Sequence, residues 1–231
     1  MVSVWLLGLD CDNIVMKILN LYACLGGNRY KWNEVKEDIE VTAVELDPEA
    51  ARLYQERFPN DTVIIADAHK YLLDHFKEFD FIWSSPPCPS HSRINTSQKT
   101  RDCYTYKYPE MSLYQEVILL DNFFEGKYVI ENVIPYYEPL IPAQKRGRHL
   151  YWTNFVLPTN INERPPIGIS TGKDEVKRLC KFHDYDFYKY KGTQPVNKMA
   201  RNLVDYEAGK TIFEIAMGII TKRNTNQSTL F

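Results

Sequence analysis

The chain reads as an α/β fold on a doubly wound, predominantly parallel sheet, with a small irregular region late in the sequence. Three observations predict this. Short apolar runs alternate with helical periodicity from Met16 to Phe124. The connections between them are short, as in successive βα units. Successive runs also end in turn-forming or acidic residues, at Gly26-Gly27, Glu45, Asp67 and Pro86-Pro87. A parallel sheet collects such ends at one edge.

The elements follow in order. Residues 16–23 read as a first buried strand ending at Cys24-Leu25-Gly26-Gly27. Residues 41–45 form a second, closed by Glu45-Leu46-Asp47-Pro48 and followed by a helical pattern over 49–58. Residues 62–65 make a third strand, ending in Ala66-Asp67, and 69–76 a short helix. Residues 79–83 are a fourth strand, 111–124 a helix, 127–130 a fifth strand and 149–156 a further one. Residues 90–108 are long, polar and without apolar periodicity, which marks a functional or mobile loop. Residues 157–196 are irregular, with Pro165-Pro166 and many tyrosines, and read as a small subdomain. One or two helices over 201–217 return to the sheet. The expected division is an N-terminal extension (1–15), a catalytic domain (16–156), the irregular region (157–196), returning helices (197–221) and a polar tail (222–231). Met16 reads as a natural start.

The 231 residues suffice for one sizeable α/β domain. A formal charge of -2 gives no global basic field. No apolar run is long enough to span a bilayer, and the apolar start lacks a basic flank and a cleavage site. The expected location is the cytoplasm. Five cysteines without regular spacing argue against a disulfide framework. Cys180 and His183 have half the spacing of a zinc site, but no second pair exists, so no metal is expected.

Chemistry concentrates at the predicted sheet edge. Cys88 lies in Pro86-Pro87-Cys88-Pro89-Ser90-His91-Ser92, where prolines aim an exposed thiol as a nucleophile would be presented. Glu131 follows the fifth strand, at the same edge. A carboxyl group beside a thiol suits addition to a heterocycle that is protonated as the thiolate attacks. Gln144, Arg146 and Arg148 alternate before a strand and would share one face, whose two guanidiniums either fix a carboxylate and a base carbonyl and depress the thiol pKa, or form a solvated basic face. Gly26-Gly27 allow close backbone approach. Glu45 is either a ribose acceptor or a solvated strand-end acid, and Asp67 either accepts from an adenine amino group or caps the next helix. No lysine-containing phosphate loop is present, which favours an adenosine cofactor without phosphates.

Pro-Pro-Cys at 86–88, Glu-Asn-Val at 131–133 and Gln-x-Arg-x-Arg at 144–148 occur in that order, after Asn20-Leu21-Tyr22-Ala23-Cys24-Leu25-Gly26-Gly27 and Glu45. This resembles the cytosine-5 DNA methyltransferases, small phage or prophage members in particular, over residues 17–152. The resemblance implies a Rossmann-like S-adenosylmethionine-dependent methyltransferase fold acting on double-stranded DNA as a monomer. It implies that Cys88 attacks C6 of a flipped cytosine, Glu131 holds and protonates the ring, Arg148 contacts the base carbonyl, and Arg146 orients Glu131 or a phosphate. Tyr22, Ala23, Gly26, Gly27, Glu45, Leu46, Asp67, Ala68 and Pro86 would hold S-adenosylmethionine. Ser90, His91, Ser92, Arg93 and Gln144 would meet the nucleic acid, and 157–196 would be a short target-recognition region.

Cys24 stands where that family has glycine, Pro89 replaces a glutamine, and the family's late Gly-Asn pair is not recognisable. Four rivals are weighed. An amino-methylating enzyme would place an acidic or asparagine residue and an aromatic around the proline pair and would not need the cysteine. An RNA methyltransferase of the same family shares the motifs. A non-catalytic homologue would have lost part of the site, which is complete here. A cysteine hydrolase pairing Cys88 with His91 leaves Glu131 and the cofactor residues without a role.

Overall fold

In the computed structural model, which describes residues 15–93, 108–165 and 174–219, seven strands form one sheet. They are β1 (Met16–Leu21), β2 (Ile39–Glu45), β3 (Thr62–Ile65), β4 (Phe81–Ser84), β5 (Lys127–Val133), β6 (Gln144–Arg146) and β7 (His149–Thr153). The helices are α1 (Pro48–Arg57), α2 (Ala68–His75), α3 (Ser112–Phe123), α4 (Glu175–His183), α5 (Val196–Arg201) and α6 (Tyr206–Ala216).

The sheet order is β3-β2-β1-β4-β5-β7-β6. The first five strands are mutually parallel, and β7 runs antiparallel to both β5 and β6. Chain order reverses between β1 and β4, which makes their carboxyl ends the switch point where open α/β sheets hold ligands.

Alternation along the strands builds two core layers. Leu19, Leu21 and Ile82 pack with Leu72 of α2 and with Leu113, Val117 and Leu120 of α3. On the other face Ile18, Phe81, Trp83 and Val129 pack with Trp32 and with Ile212 and Phe213 of α6. All four residues of β4 are buried, as a central parallel strand requires. A third cluster joins Leu25 and Ala50 and Leu53 of α1 to Leu179, Phe187, Tyr190, Met199 and Leu203, so the late region docks on the first turn and α1.

Some boundaries differ from expectation. β1 stops at Leu21 because Tyr22 (φ 54°) and Cys24 (φ 47°) adopt left-handed conformations. β5 continues to Val133 because β7 pairs with it, Glu131 opposite Tyr151 and Val133 opposite His149. Glu131 therefore sits inside a strand. The region expected to be irregular contains α4, and two helices, α5 and α6, precede Met217. Asp205 caps α6 by accepting from the N–H groups of Glu207 and Ala208. The expected extension up to residue 14, most of the 90–108 loop and the polar tail lie outside the described residues.

Candidate active site

A cavity of about 920 Å³ opens at the switch point. The loop after β4 brings Pro86, Pro87 and Cys88 to it, β5 brings Glu131, and the β6–β7 turn brings Arg148. Asn132, 2% exposed, donates to the carbonyl oxygen of Pro86 at 3.0 Å and so fixes the nucleophile loop to the Glu131 strand. After Cys88 the chain turns back on itself: the N–H groups of His91 and Ser92 both donate to the Cys88 carbonyl. Burial raises the Cys88 thiol above its ordinary value and the charge of Glu131 adds to this, while Lys198 opposes both. The expected depression by two arginines is not found.

The cavity continues over the ends of β1, β2 and β3. Tyr22, Ala23 and Gly27 line it from the first turn, Glu45 and Leu46 from the end of β2, and Asp67 and Ala68 from the start of α2. Gly26 does not: a Cβ there would meet the Phe58 and Tyr54 rings, so this glycine serves packing against α1. Glu45 accepts from the N–H groups of Cys24 and Asp47, both at 2.8 Å. Burial pushes its carboxyl upward, opposed by those two donors. Asp67 caps α2 through the N–H of Lys70 and lines the cavity as well. Behind them lies the fully buried Glu116, which accepts from the Tyr22 hydroxyl at 2.7 Å and the Ser84 hydroxyl at 2.6 Å.

Three residues expected at the substrate are engaged elsewhere in the protein. Gln144 spends its amide on Thr153 Oγ1, the Phe155 carbonyl and the Leu157 N–H, so it braces the hairpin. Arg146 donates to the carbonyls of Leu157 and Pro158 and does not line the cavity, so it ties down the segment beyond β7 and does not orient Glu131. His91 is 1% exposed, with Nδ1 against the Tyr137 hydroxyl. It is thereby held within the protein, with Nδ1 engaged by that hydroxyl. Ser90 Oγ accepts from the Glu110 N–H, Arg93 donates to the Pro135 carbonyl, and Ser92 bridges to Pro135.

Other residues enter the cavity that motif spacing does not reveal: His149, Glu163, Arg164, Gln194 and Lys198. Apart from His149, they come from the irregular region and α5. His149 follows Arg148 directly, so adjacency was the one local signal for it. Among the described residues no group of three or more His, Cys, Asp or Glu is placed to hold a metal ion, and no helix is long and apolar enough to cross a membrane.

A sequence profile of the family described as C-5 cytosine-specific DNA methylase matches residues 16–134, which is 119 of the 231. None of the curated proteins matches the chain. Among solved structures, the Entamoeba histolytica methyltransferase EhMeth is 11% identical over 90% of this chain and 99% of its own, with a TM-score of 0.51, which shows a shared fold. Spodoptera frugiperda DNMT2 is 25% identical, with a TM-score of 0.37. That match covers 51% of this chain and 35% of the Spodoptera chain, so the present chain spans about a third of that protein's length. A TehB-like SAM-dependent methyltransferase from Corynebacterium glutamicum is 18% identical over 52% of this chain and 55% of its own, with a TM-score of 0.34. The sheet and its flanking helices have the Rossmann-like fold of S-adenosylmethionine-dependent methyltransferases. By its matched residues, the chain belongs to the C-5 cytosine-specific DNA methylase family.

Proposed function

We propose that this protein methylates C5 of a flipped cytosine in double-stranded DNA through a covalent bond between Cys88 and C6. The observation that carries this reading is the convergence of Cys88, Glu131 and Arg148 on one cavity at the switch point. Family membership supports DNA as the substrate.

The β1–β3 end of the cavity fits a nucleoside without phosphates. Glu45 and Asp67 offer carboxylate acceptors there, and the left-handed residues Tyr22 and Cys24 of the first turn line it. Tyr22, Ala23, Gly27, Glu45, Leu46, Asp67, Ala68 and Pro86 would hold the cofactor. When bound, S-adenosylmethionine supplies an electrophilic methyl group to C5.

The protein's part is as follows. The Cys88 thiol gives its proton to water and Sγ bonds to C6. N3 takes a proton from Glu131, so the electron pair of the C5–C6 double bond is available at C5. Arg148 donates to the base carbonyl and holds the ring in plane with Glu131. After methylation the C5 proton leaves to water, the double bond reforms, the Cys88–C6 bond breaks and N3 returns its proton to Glu131. Extrusion of the base from the duplex gives the thiol access to C6. The region from 157 to 196 supplies Glu163, Arg164 and Gln194 to the cavity, which supports its reading as the target-recognition region.

The test is methylation of unmethylated plasmid DNA by the purified protein, with 5-methylcytosine mapped by bisulfite sequencing. Duplex DNA containing 5-fluorocytosine should trap a covalent adduct that Cys88→Ser abolishes. Trapping on RNA and not on DNA would reverse the substrate assignment.

A further inference from the structure

His149 lies between two carboxylates. Its Nε2 is 3.4 Å from Glu131 Oε1 and its Nδ1 is 3.3 Å from Glu163 Oε1. The sheet register sets the first contact. His149 pairs with Val133 and Tyr151 with Glu131, so His149 and Glu131 are diagonal neighbours on one face of the β5–β7 ladder. The second contact depends on Gly147. This residue has φ +52°, and a Cβ on it would come within 2.2 Å of Glu163 Oε2. Glycine thus serves both the turn and the seat of the Glu163 carboxylate. Arg146 holds the start of the segment that leads to Glu163 by binding the Leu157 and Pro158 carbonyls. All three members of the clamp line the cavity.

We propose that His149 is a positioning residue for the methyl-transfer reaction: clamped by Glu163, it holds one oxygen of Glu131 and leaves the other to the cytosine ring nitrogen. This rests on the cytosine reading of the site. Only the imidazolium has a donor on each ring nitrogen, so only that form serves Glu163 and, once it has given up its proton, Glu131 as well. When Glu131 has given its proton to N3, the resulting carboxylate faces this cation, which favours the transition state over the ground state. Both His149 and Glu163 lie beyond residues 16–134, so two of the clamp's three members fall outside the matched family segment.

The charged groups around His149 agree with this. Burial lowers its pKa, but Glu131 and Glu163 outweigh both burial and the repulsion of Arg148, and the net direction is upward. Arg146 is its register partner on β6, with the guanidinium spent on main-chain carbonyls, and Tyr151 on β7 meets the His149 ring edge-to-face.

Two measurements test the clamp. The first is a proton NMR titration of the five histidines, with His149 assigned by its loss in His149→Gln. Glu131→Gln and Glu163→Gln should each lower the His149 pKa. An unchanged value in either variant overturns the proposal, whether or not the protein methylates DNA. The second is kcat against pH on plasmid DNA. His149→Ala should lower kcat on the order of 10²-fold with little change in KM. His149→Gln, which keeps a donor toward Glu131 but cannot titrate, should recover part of kcat and lose the alkaline limb. Glu163→Gln should move that limb to lower pH. Wild-type kcat in His149→Ala, or an unchanged limb in His149→Gln, also overturns it. A wild-type protein that titrates as expected yet methylates no cytosine would count against the cytosine reading and leave the clamp standing.

Discussion

Asn132 Nδ2 donates to the Pro86 carbonyl across 3.0 Å, so the strand that carries Glu131 also holds the loop that carries Cys88. One buried amide thus ties the loop of the nucleophile to the strand of the acid. Asn132→Ala leaves the Pro86 carbonyl without this donor, at a cost of about 1–3 kcal/mol in stability. Methylation in single turnover should fall on the order of 10²-fold through misplacement of Cys88, with cofactor affinity retained. Thermal melts and equilibrium cofactor binding separate the two effects.

Cys88 rests as a thiol, because burial and Glu131 both raise its pKa. Only the thiolate attacks C6, so the rate of adduct formation should climb with pH through neutrality and show no plateau there. Lys198 is the cation that stabilises the thiolate. Lys198→Ala should slow trapping at each pH by roughly two- to fivefold, since this lysine is exposed and screened. Stopped-flow trapping on 5-fluorocytosine DNA across pH 6 to 9 (about that span covers the ordinary thiol range) gives both numbers.

Asp61 anchors the packing behind the first turn. It accepts two hydrogen bonds from the Arg29 guanidinium, both at 2.9 Å, and one from the Tyr54 hydroxyl, also at 2.9 Å, and is 6% exposed. Asp61→Asn leaves the Arg29 charge buried without its partner and should cost about 3–5 kcal/mol in urea unfolding. Replacing Arg29 and Asp61 together by Met and Leu should recover much of that loss.

His183 should make the fold acid-sensitive. Burial, helped by Arg164 and Arg57, lowers its pKa from 6.5 to about 3. Above the unfolded-state value both states are neutral and the full stability is present. As pH falls below that value the unfolded chain takes up a proton that the native state refuses, and stability is lost progressively down to about 3. The slope contributed is about 1.4 kcal/mol per pH unit for one full proton. His183→Leu should flatten the stability profile in that window, read by denaturant titrations at several pH values.

Much of this molecule was legible in sequence because its signals are local. β3 is bounded by turn residues on both sides and matches its predicted limits, 62–65. Cys88, Glu131 and Arg148 each sit in a short motif. Where the reading failed, the cause was non-local. Alternation places Gln144 and Arg146 on one face, but Gly147 adopts φ +52° and breaks the extended run, so Arg148 alone enters the cavity. Cys24 occupies a left-handed turn where glycine is usual, and its conformation is held by the N–H bond to Glu45 from the neighbouring strand. α4 carries helical spacing at Val176, Leu179 and Cys180, the face that packs against Leu25 and α1, but it stands in a stretch whose prolines and tyrosines read as irregular.

The amino-acid sequence by itself determined the parallel βα frame, the edge where chemistry gathers and the order of the motifs on it. Periodicity and turn chemistry act over a few residues, and those features need nothing more. Only the tertiary structure decided what surrounds Glu131. The antiparallel register of β7, the positive φ of Gly147 and the docking of the segment after Leu157 bring His149 and Glu163 to that carboxyl from 18 and 32 residues away, and no local pattern encodes such distances.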